Sequence, residues 1–378
     1  MAALEELVHL SSGVDNRAIL DWKKKGNKVF GYFCSYVPEE VLCAANILPY
    51  RIRARGCTET AKADVYFSRV NCSFARSCLQ YALENKYGFL DGIVFTQSCD
   101  HIRRLYDILR VVRPAQFAFM HFLDVPRKTD DESIAWYRDE IITFRQHLEE
   151  SLGVKITDAK LRDAIRACNE TRSLLKRLYQ LRCAKKPPLT GAQTLSIVLA
   201  ATMTPKAEYN GLLKGLLDEL GEGGGISQYR ARLMISGSGG CDNPDYLRVM
   251  EDLGGLVVTD SLCLGSRYFW FGPVDVKGDL MGNLARSYLG RPSCGSMVDG
   301  LDARLKYAQD MVSLFNVDGV VFQHIRYCDL WGGQISEFAR TLKELGVPML
   351  SLEREYQLGA TGQLRTRVQA FLEMIGGN

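Results

Sequence analysis

Apolar and polar positions along this chain follow two periods. Eight short runs rich in β-branched and aromatic residues carry the strand pattern. The first four are KVFGYFC (Lys28–Cys34), LPYRIR (Leu48–Arg53), DGIVFTQS (Asp91–Ser98) and FAFMHF (Phe117–Phe122). The other four are RLMISGS (Arg232–Ser238), LVVTDS (Leu256–Ser261), GVVFQHI (Gly319–Ile325) and PMLSLE (Pro348–Glu353). Between them, apolar residues recur every three or four positions, as in helices. In PEEVLCAANI a proline stands where a first helical position would be, and the acids after it suit the positive end of a helix dipole. NPDYLRVMEDLGG runs to a glycine pair suited to a helix C-cap. Strands and helices alternating at this spacing predict an α/β protein with two doubly wound parallel sheets.

The middle of the chain differs. From Asp130 to Cys183 the pattern is long, charged and helical. A helical segment of about 130–220 is expected to pack across or beside the first sheet, interrupted by KKPPLTGAQ (Lys185–Gln193). GEGGGISQYR (Gly221–Arg230) is the linker candidate, since glycines add flexibility just before a new strand. The expected division is residues 1–225 for an N-terminal α/β domain with the helical segment, and 226–378 for a C-terminal α/β domain. Two stretches read almost alike: DGIVFTQSCD (Asp91–Asp100) and DGVVFQHIRYCD (Asp318–Asp329). Each is a turn signal, an apolar run, then a cysteine followed by aspartate. One falls in each domain, which predicts two similar Rossmann- or flavodoxin-like units facing each other across a cleft.

A length of 378 residues suits two domains of ordinary size. The composition, 47% hydrophobic and 24% charged, is globular. A net charge of +3 points to neither a nucleic-acid nor an anionic-membrane partner. No apolar run reaches about 18 residues, so no membrane span is expected. The first residues, MAALEELVHLSSG, contain acids and no basic stretch, unlike a signal peptide. A cytoplasmic protein is expected.

Twelve cysteines change this picture. A reducing cytosol disfavours disulfides, leaving buried apolar residues, metal ligands or catalytic thiols. The absence of any C-x-x-C excludes a zinc ribbon, a thioredoxin motif and a ferredoxin-type run. A metal site must therefore be assembled from distant segments. Cys34, Cys99, Cys263 and Cys328 lie at or just past the carboxyl ends of predicted strands, the edge where doubly wound folds bind ligands. Cys72 and Cys294 sit in loop-like segments before helical patterns, and a helix start would stabilise a Cys72 thiolate. Free cysteine often only fills space, a reading that suits Cys43, Cys168 and Cys183 and leaves Cys57 and Cys241 open. Four cysteines on one edge, two of them inside a repeat, favour a shared site of soft thiolates for iron–sulfur or zinc.

Seven segments in order, GYFCSYVPEEVLCAANILPYRIR, NCSFARSCL, LDGIVFTQSCDHIRRLYDIL, VVTDSLCLGSRYF, RPSCGSM, GVVFQHIRYCDLWGGQ and GATGQLRTRVQAFLEMI, resemble the benzoyl-CoA reductase and 2-hydroxyacyl-CoA dehydratase family. The likeness runs from about Lys28 to the C-terminus. It implies an electron-accepting catalytic component, served by a separate ATP-hydrolysing iron–sulfur activator that delivers single electrons. It implies a 4Fe-4S cluster on three cysteines, at positions matching Cys72, Cys99 and Cys328. The repeat would supply two of them, one from each sheet. This chain departs from the dehydratase pattern in carrying Cys34, Cys263 and Cys294 near the same edge. The double-cubane proteins, a branch of the same family, hold an 8Fe-9S pair of cubanes on six cysteines. Those three are therefore candidates for a second cubane, with Cys78 as the substitute. A CoA thioester or another small molecule as substrate, and a homodimer or a heterodimer with a homologous subunit, are also implied.

Protons must follow electrons. His324, His101 and Glu39 are the candidate donors, with Asp100 and Asp329 beside them; a histidine titrating near neutrality suits the task. His324 ranks first because it lies on a strand near the cleft edge, whereas His101 and the arginines after it could form an exposed helix start or a docking face. Arg267 and Arg326 are candidates for holding CoA phosphates or neutralising cluster charge. Ser35, Asn71, Ser98 and Ser293 are candidates for hydrogen bonds to cluster sulfurs. There is no G-x-x-x-x-G-K-S/T loop for ATP, and ISGSGGCD (Ile235–Asp242) lacks the full dinucleotide fingerprint. Three function classes remain: a reductase catalytic subunit, a dehydratase subunit expelling hydroxide from a 2-hydroxyacyl-CoA, and a non-catalytic electron-relay subunit of a heterodimer.

Overall fold

All eight predicted strands form, within a few residues of their expected ends. The computed structural model describes residues 1–221, 224–359 and 361–376. Its strands are β1 (Lys28–Tyr32), β2 (Ile47–Arg51), β3 (Gly92–Thr96), β4 (Phe119–Leu123), β5 (Ala231–Gly237), β6 (Gly255–Asp260), β7 (Gly319–Ile325) and β8 (Met349–Arg354). They build two four-stranded, wholly parallel sheets of orders β2-β1-β3-β4 and β6-β5-β7-β8. The second order repeats the first, so the two look-alike stretches become equivalent strands, β3 and β7. Strands β2, β3, β5 and β6 are buried along their whole length, as parallel strands covered on both faces must be.

The aspartate that opens each repeat has the same task in both sheets. Asp91 Oδ2 accepts from the Val29 amide at 2.9 Å, and Asp318 Oδ2 accepts from the Arg232 amide at 2.7 Å. Each fixes the start of the neighbouring strand, β1 or β5.

Helix starts follow local chemistry, with one correction. Asn243 caps the helix Pro244–Glu251, with its proline in the first turn as expected. Thr190 and Gln193 form a capping box that starts the helix Gly191–Ala201, inside a stretch read only as a break. Pro38, expected at the first helical position, stands one place earlier, as the N-cap of the helix Glu39–Ala44. The two acids after it are not surface groups on a dipole. Both are buried and ion-paired, Glu39 with Lys206 at 2.6 Å and Glu40 with Arg172 at 2.7 Å.

The central helices do not stay with the first sheet. Asp131–Leu152 packs there, through Tyr137, Ile141, Phe144 and Leu148. The helix Asp158–Leu181 spans both cores: Leu161 and Ile165 join the first, while Leu174, Leu178 and Tyr179 join Met234, Leu256 and Val258 of the second. Gly191–Ala201 packs on β5 and β6, with the Gly191 Cα against Val257 and its first amides donating to the Glu251 carboxylate. In return, Leu280, Leu284 and Leu289 of the helix Leu280–Leu289 are buried in the core of the first sheet. Packing thus crosses the expected 225/226 division in both directions.

Within the linker candidate, Glu222 and Gly223 lie outside the described residues. Past them the chain is laid against its own earlier turn: Ile226 N donates to Pro187 O at 2.8 Å. A Cβ on Gly225 would collide with the Lys186 carbonyl oxygen, so this glycine serves close approach. Among the described residues, no helix is long and apolar enough to cross a membrane.

Candidate metal centre

Parallel sheets present the carboxyl ends of their strands as loops, and here loops from both sheets close around one cavity of about 120 Å³. Six cysteines line it: Cys34, Cys72, Cys99, Cys263, Cys294 and Cys328. Cys34 follows β1 and Cys99 follows β3, flanking the switch point of the first sheet. Cys263 follows β6 and Cys328 follows β7. Three of the six are N-cap residues: Cys72 for Ser73–Leu83, Cys99 for Asp100–Val112 and Cys328 for the short helix Asp329–Gly332. None of the three side chains makes a formed cap hydrogen bond, but nearby amides pull each thiol's pKa down against burial: Phe74 and Ala75 at Cys72, Ile102 and His101 at Cys99, Trp331 at Cys328. Two cavity-lining turns depend on left-handed backbone, at Gly240 (φ 70°) and at Tyr327 (φ 66°), the residue before Cys328.

The thiols act on one another across the cavity, Cys34 on Cys99 and Cys294 on Cys328 included. Burial raises the pKa of Cys34, and its charged neighbours are Arg51, Cys294 and Cys263. Burial pushes Cys99 up to about 12, with Cys72 and Cys34 adding to the push and nearby amides opposing it. Cys328 is likewise raised by burial, then by Cys72 and Cys99. Cys294 is the exception. Burial opposes its ionisation, but the Arg267 charge and hydrogen bonds from Ser296 hold the thiol below its ordinary value.

Three guanidiniums complete the lining, and sequence reasoning found only one of them. Arg51, at the carboxyl end of β2, donates from Nη1 to Ser35 Oγ at 3.1 Å and from Nη2 to Cys263 Sγ at 3.7 Å. Arg267 donates from Nε to Ser261 O at 2.8 Å and from Nη1 to Ser293 O at 3.0 Å. Arg291 donates to Ser35 O and stacks over Tyr288, 4.2 Å from the ring centroid. Arg51 was discoverable by the strand-end rule that found the cysteines. Arg291 sits in the same RPSC segment as Cys294.

The other sequence candidates separate clearly. His101 lines the cavity, with Nδ1 3.0 Å from Asn71 Oδ1 and Nε2 2.8 Å from Tyr327 O. His324 is not in the cavity wall but stands behind it, with Nε2 3.1 Å from the Cys328 carbonyl oxygen. Side chains alternate along a strand, and Ile325 faces the cavity, so His324 faces the other way, toward Glu353 at 3.9 Å in an outer hollow with Arg326 and Asp329. Glu39 is also absent from the lining. It is buried among Lys206, Tyr268 (2.9 Å) and Tyr32, whose hydroxyl donates to it. Burial opposes its ionisation, yet Lys206 and these donors hold its carboxyl below the usual range, and the ion pair places it outside the cavity wall. Asp100 is exposed beside Arg103, and Arg326 pairs with Glu353 on the surface. Ser35 and Ser98 line the cavity; Asn71 and Ser293 act from behind it, on His101 and Arg267. Cys78 is packed in the first-sheet core near Tyr87, away from the lining. Cys43 and Cys168 lie against each other between helices, and Cys57 and Cys241 are buried.

Among the described residues, no three Cys, His, Asp or Glu side chains crowd around one point as a mononuclear ion requires. A polynuclear cluster is gripped at separate corners and asks for thiols spread around an enclosed space. Six buried or partly buried thiols around one cavity, helix starts at three of them and guanidiniums without carboxylate partners fit such a group.

Comparison with known proteins shows which family the chain belongs to. The family profile described as "2-hydroxyglutaryl-CoA dehydratase, D-component" matches residues 34–375. One of the subunits of the benzoyl-CoA reductase of Thauera aromatica is 28% identical over 374 residues, covering 97% of this chain and 96% of that protein. A putative dehydratase subunit, YjiM, of Escherichia coli (strain K12) is 28% identical, covering 94% of each chain. The beta subunit of the (R)-2-hydroxyglutaryl-CoA dehydratase of Acidaminococcus fermentans is 23% identical over 99% of each. With a match of this reach, the chain belongs to the 2-hydroxyglutaryl-CoA dehydratase D-component family.

Proposed function

We propose that this chain is the iron–sulfur catalytic subunit of an ATP-dependent, low-potential reductase acting on a CoA thioester or another small molecule. Single electrons reach it from a separate ATP-hydrolysing iron–sulfur activator. It works in the cytoplasm, as a dimer with its own copy or with a homologous subunit. Residues 1–225 and 226–378 are read as its two α/β domains. The observation that carries this reading is the convergence of six cysteines on one cavity. Cys72, Cys99 and Cys328 are assigned to one 4Fe-4S unit, and Cys34, Cys263 and Cys294 to a second, together an 8Fe-9S double cubane. Such a group supplies one-electron reduction at very low potential, which no side chain performs.

The chain's own residues set the conditions. The cavity walls hold the thiols partly out of water, and the helix-start amides near Cys72, Cys99 and Cys328 favour negative charge on sulfur. Arg51 and Arg267 offset negative charge on the opposite side. His101, the candidate donor that lines the cavity, is the remaining candidate for proton delivery.

The test is iron and acid-labile sulfide per chain after anaerobic purification. About eight irons support the double cubane. About four favour a second reading, a 2-hydroxyacyl-CoA dehydratase subunit with a single cubane, which the description of the family favours. No iron under strict anaerobic handling overturns both.

A further inference from the structure

The cysteine cavity is electrically lopsided. Cys34, Cys263 and Cys294 share their side with buried guanidiniums, Arg51 at 3.7 Å from Cys263 Sγ and Arg267 beside Cys294. Arg51 is 7% exposed and Arg267 3%, so neither charge is relieved by water. Among the described residues neither has a carboxylate within ion-pair distance, and Arg51 Nε and Arg267 Nη2 are buried without an oxygen or nitrogen partner. The nearest buried acid behind Arg51 is Glu39, already paired with Lys206 at 2.6 Å. Cys72, Cys99 and Cys328 share the wall with Phe74, Ala75, His101, Ile102, Ile325 and Trp331; Arg267 reaches over the Trp331 ring at 5.0 Å, but among the described residues no guanidinium hydrogen-bonds to any of these three sulfurs. Two unpaired positive charges in a low-dielectric wall strongly favour negative charge next to them.

We infer that Arg51 and Arg267 make the Cys34, Cys263 and Cys294 side of the cavity the place where an added electron rests, by raising the reduction potential of an iron–sulfur group held there above that of one held by Cys72, Cys99 and Cys328. This rests on the six-thiol reading above. One electron from the low-potential activator is gained in total. The side facing the arginines is reduced by one, the other side ends in its starting oxidation state, and no bond forms or breaks. The two arginines are positioning residues: they touch thiolates and shape the local potential.

The experiment is an anaerobic redox titration followed by EPR, with iron counted on each sample. Wild type should show two midpoints at least 59 mV apart, a tenfold difference in the one-electron equilibrium. Arg51→Gln or Arg267→Gln should lower the higher midpoint by at least that amount at unchanged iron content, and Arg51→Lys should restore it. Arg51→Gln loses only side-chain contacts to Ser35, Cys263 and the Tyr32 ring, so it carries the test if Arg267→Gln does not fold. A single midpoint in wild type, or variants with full iron and unmoved midpoints, overturns the inference and leaves the six-thiol reading standing. About four irons in wild type overturns the reading beneath it.

Discussion

His101 Nε2 lies 2.8 Å from the carbonyl oxygen of Tyr327. Its Nδ1 lies 3.0 Å from Asn71 Oδ1. Asn71 precedes Cys72, Tyr327 precedes Cys328, and His101 itself stands two residues past Cys99. One imidazole therefore fastens together the three segments that carry the proposed cubane ligands. A neutral ring donates to one of these two oxygens at a time, so replacing it with alanine removes one hydrogen bond, about 1 kcal/mol. His101→Ala should release iron to an anaerobic chelator several-fold faster, with a smaller effect on the denaturation midpoint. Release at the wild-type rate would refute the fastening role.

Cys78 and Cys328 both lie in family-like segments, but only Cys328 lines the cavity. Cys328→Ala should lose bound iron. Cys78→Ala should keep its full complement and lose about 1 kcal/mol of stability, since it removes only a small buried side chain. Iron loss in Cys78→Ala would return that residue to the ligand set.

The Glu39–Lys206 pair holds buried charge away from the cavity. Both side chains are 5% exposed and 2.6 Å apart. Glu39→Gln leaves the ammonium buried without its counter-charge and should cost about 3–5 kcal/mol in chemical denaturation. The double variant Glu39→Gln with Lys206→Met should recover part of that loss. Additive losses would show that the two side chains do not couple.

Acid should unfold this protein partly through one histidine. His121, on β4, faces His147 of the helix Asp131–Leu152, with Nδ1 atoms 3.0 Å apart. Burial first, and His147 second, lower the His121 pKa to about 4. In the unfolded chain it titrates near its ordinary value, so as pH falls the unfolded state takes up the proton first. The neutral ring's contribution is complete above about pH 6.5 and is lost as pH falls toward about 4, up to roughly 3 kcal/mol. Denaturation at several pH values should show this slope, and His121→Phe should flatten it. An unchanged slope in the variant would place the acid sensitivity elsewhere.

Periodicity located every strand because each is a short apolar run between helical stretches, and the repeated Asp-Gly runs revealed two equivalent sheets. The cysteines were legible for the same reason: Cys34, Cys99, Cys263 and Cys328 sit where a predicted strand ends. What failed was finer than a strand end. His324 lies on β7 near the cleft edge as expected, but near a strand end a single residue decides which face a side chain takes, and it reaches the Cys328 carbonyl from behind the wall. Glu39 sits in a proline-led turn as expected, but its partner, Lys206, arrives from a helix far along the chain. Neither a long-range ion pair nor the exchange of helices between the two cores leaves a local signal. The arginines were half visible: Arg51 obeys the strand-end rule, and its meaning emerges only beside Cys263.

The exchange of helices has a mechanical consequence. Leu280–Leu289 is buried with the first sheet, Gly191–Ala201 with the second, and Asp158–Leu181 is anchored in both. The two halves are linked like crossed arms. A clamshell opening about one hinge would have to pull apolar helices out of both cores at once. Any widening of the cysteine cavity is therefore confined to the loops of its rim and leaves the two sheets in place.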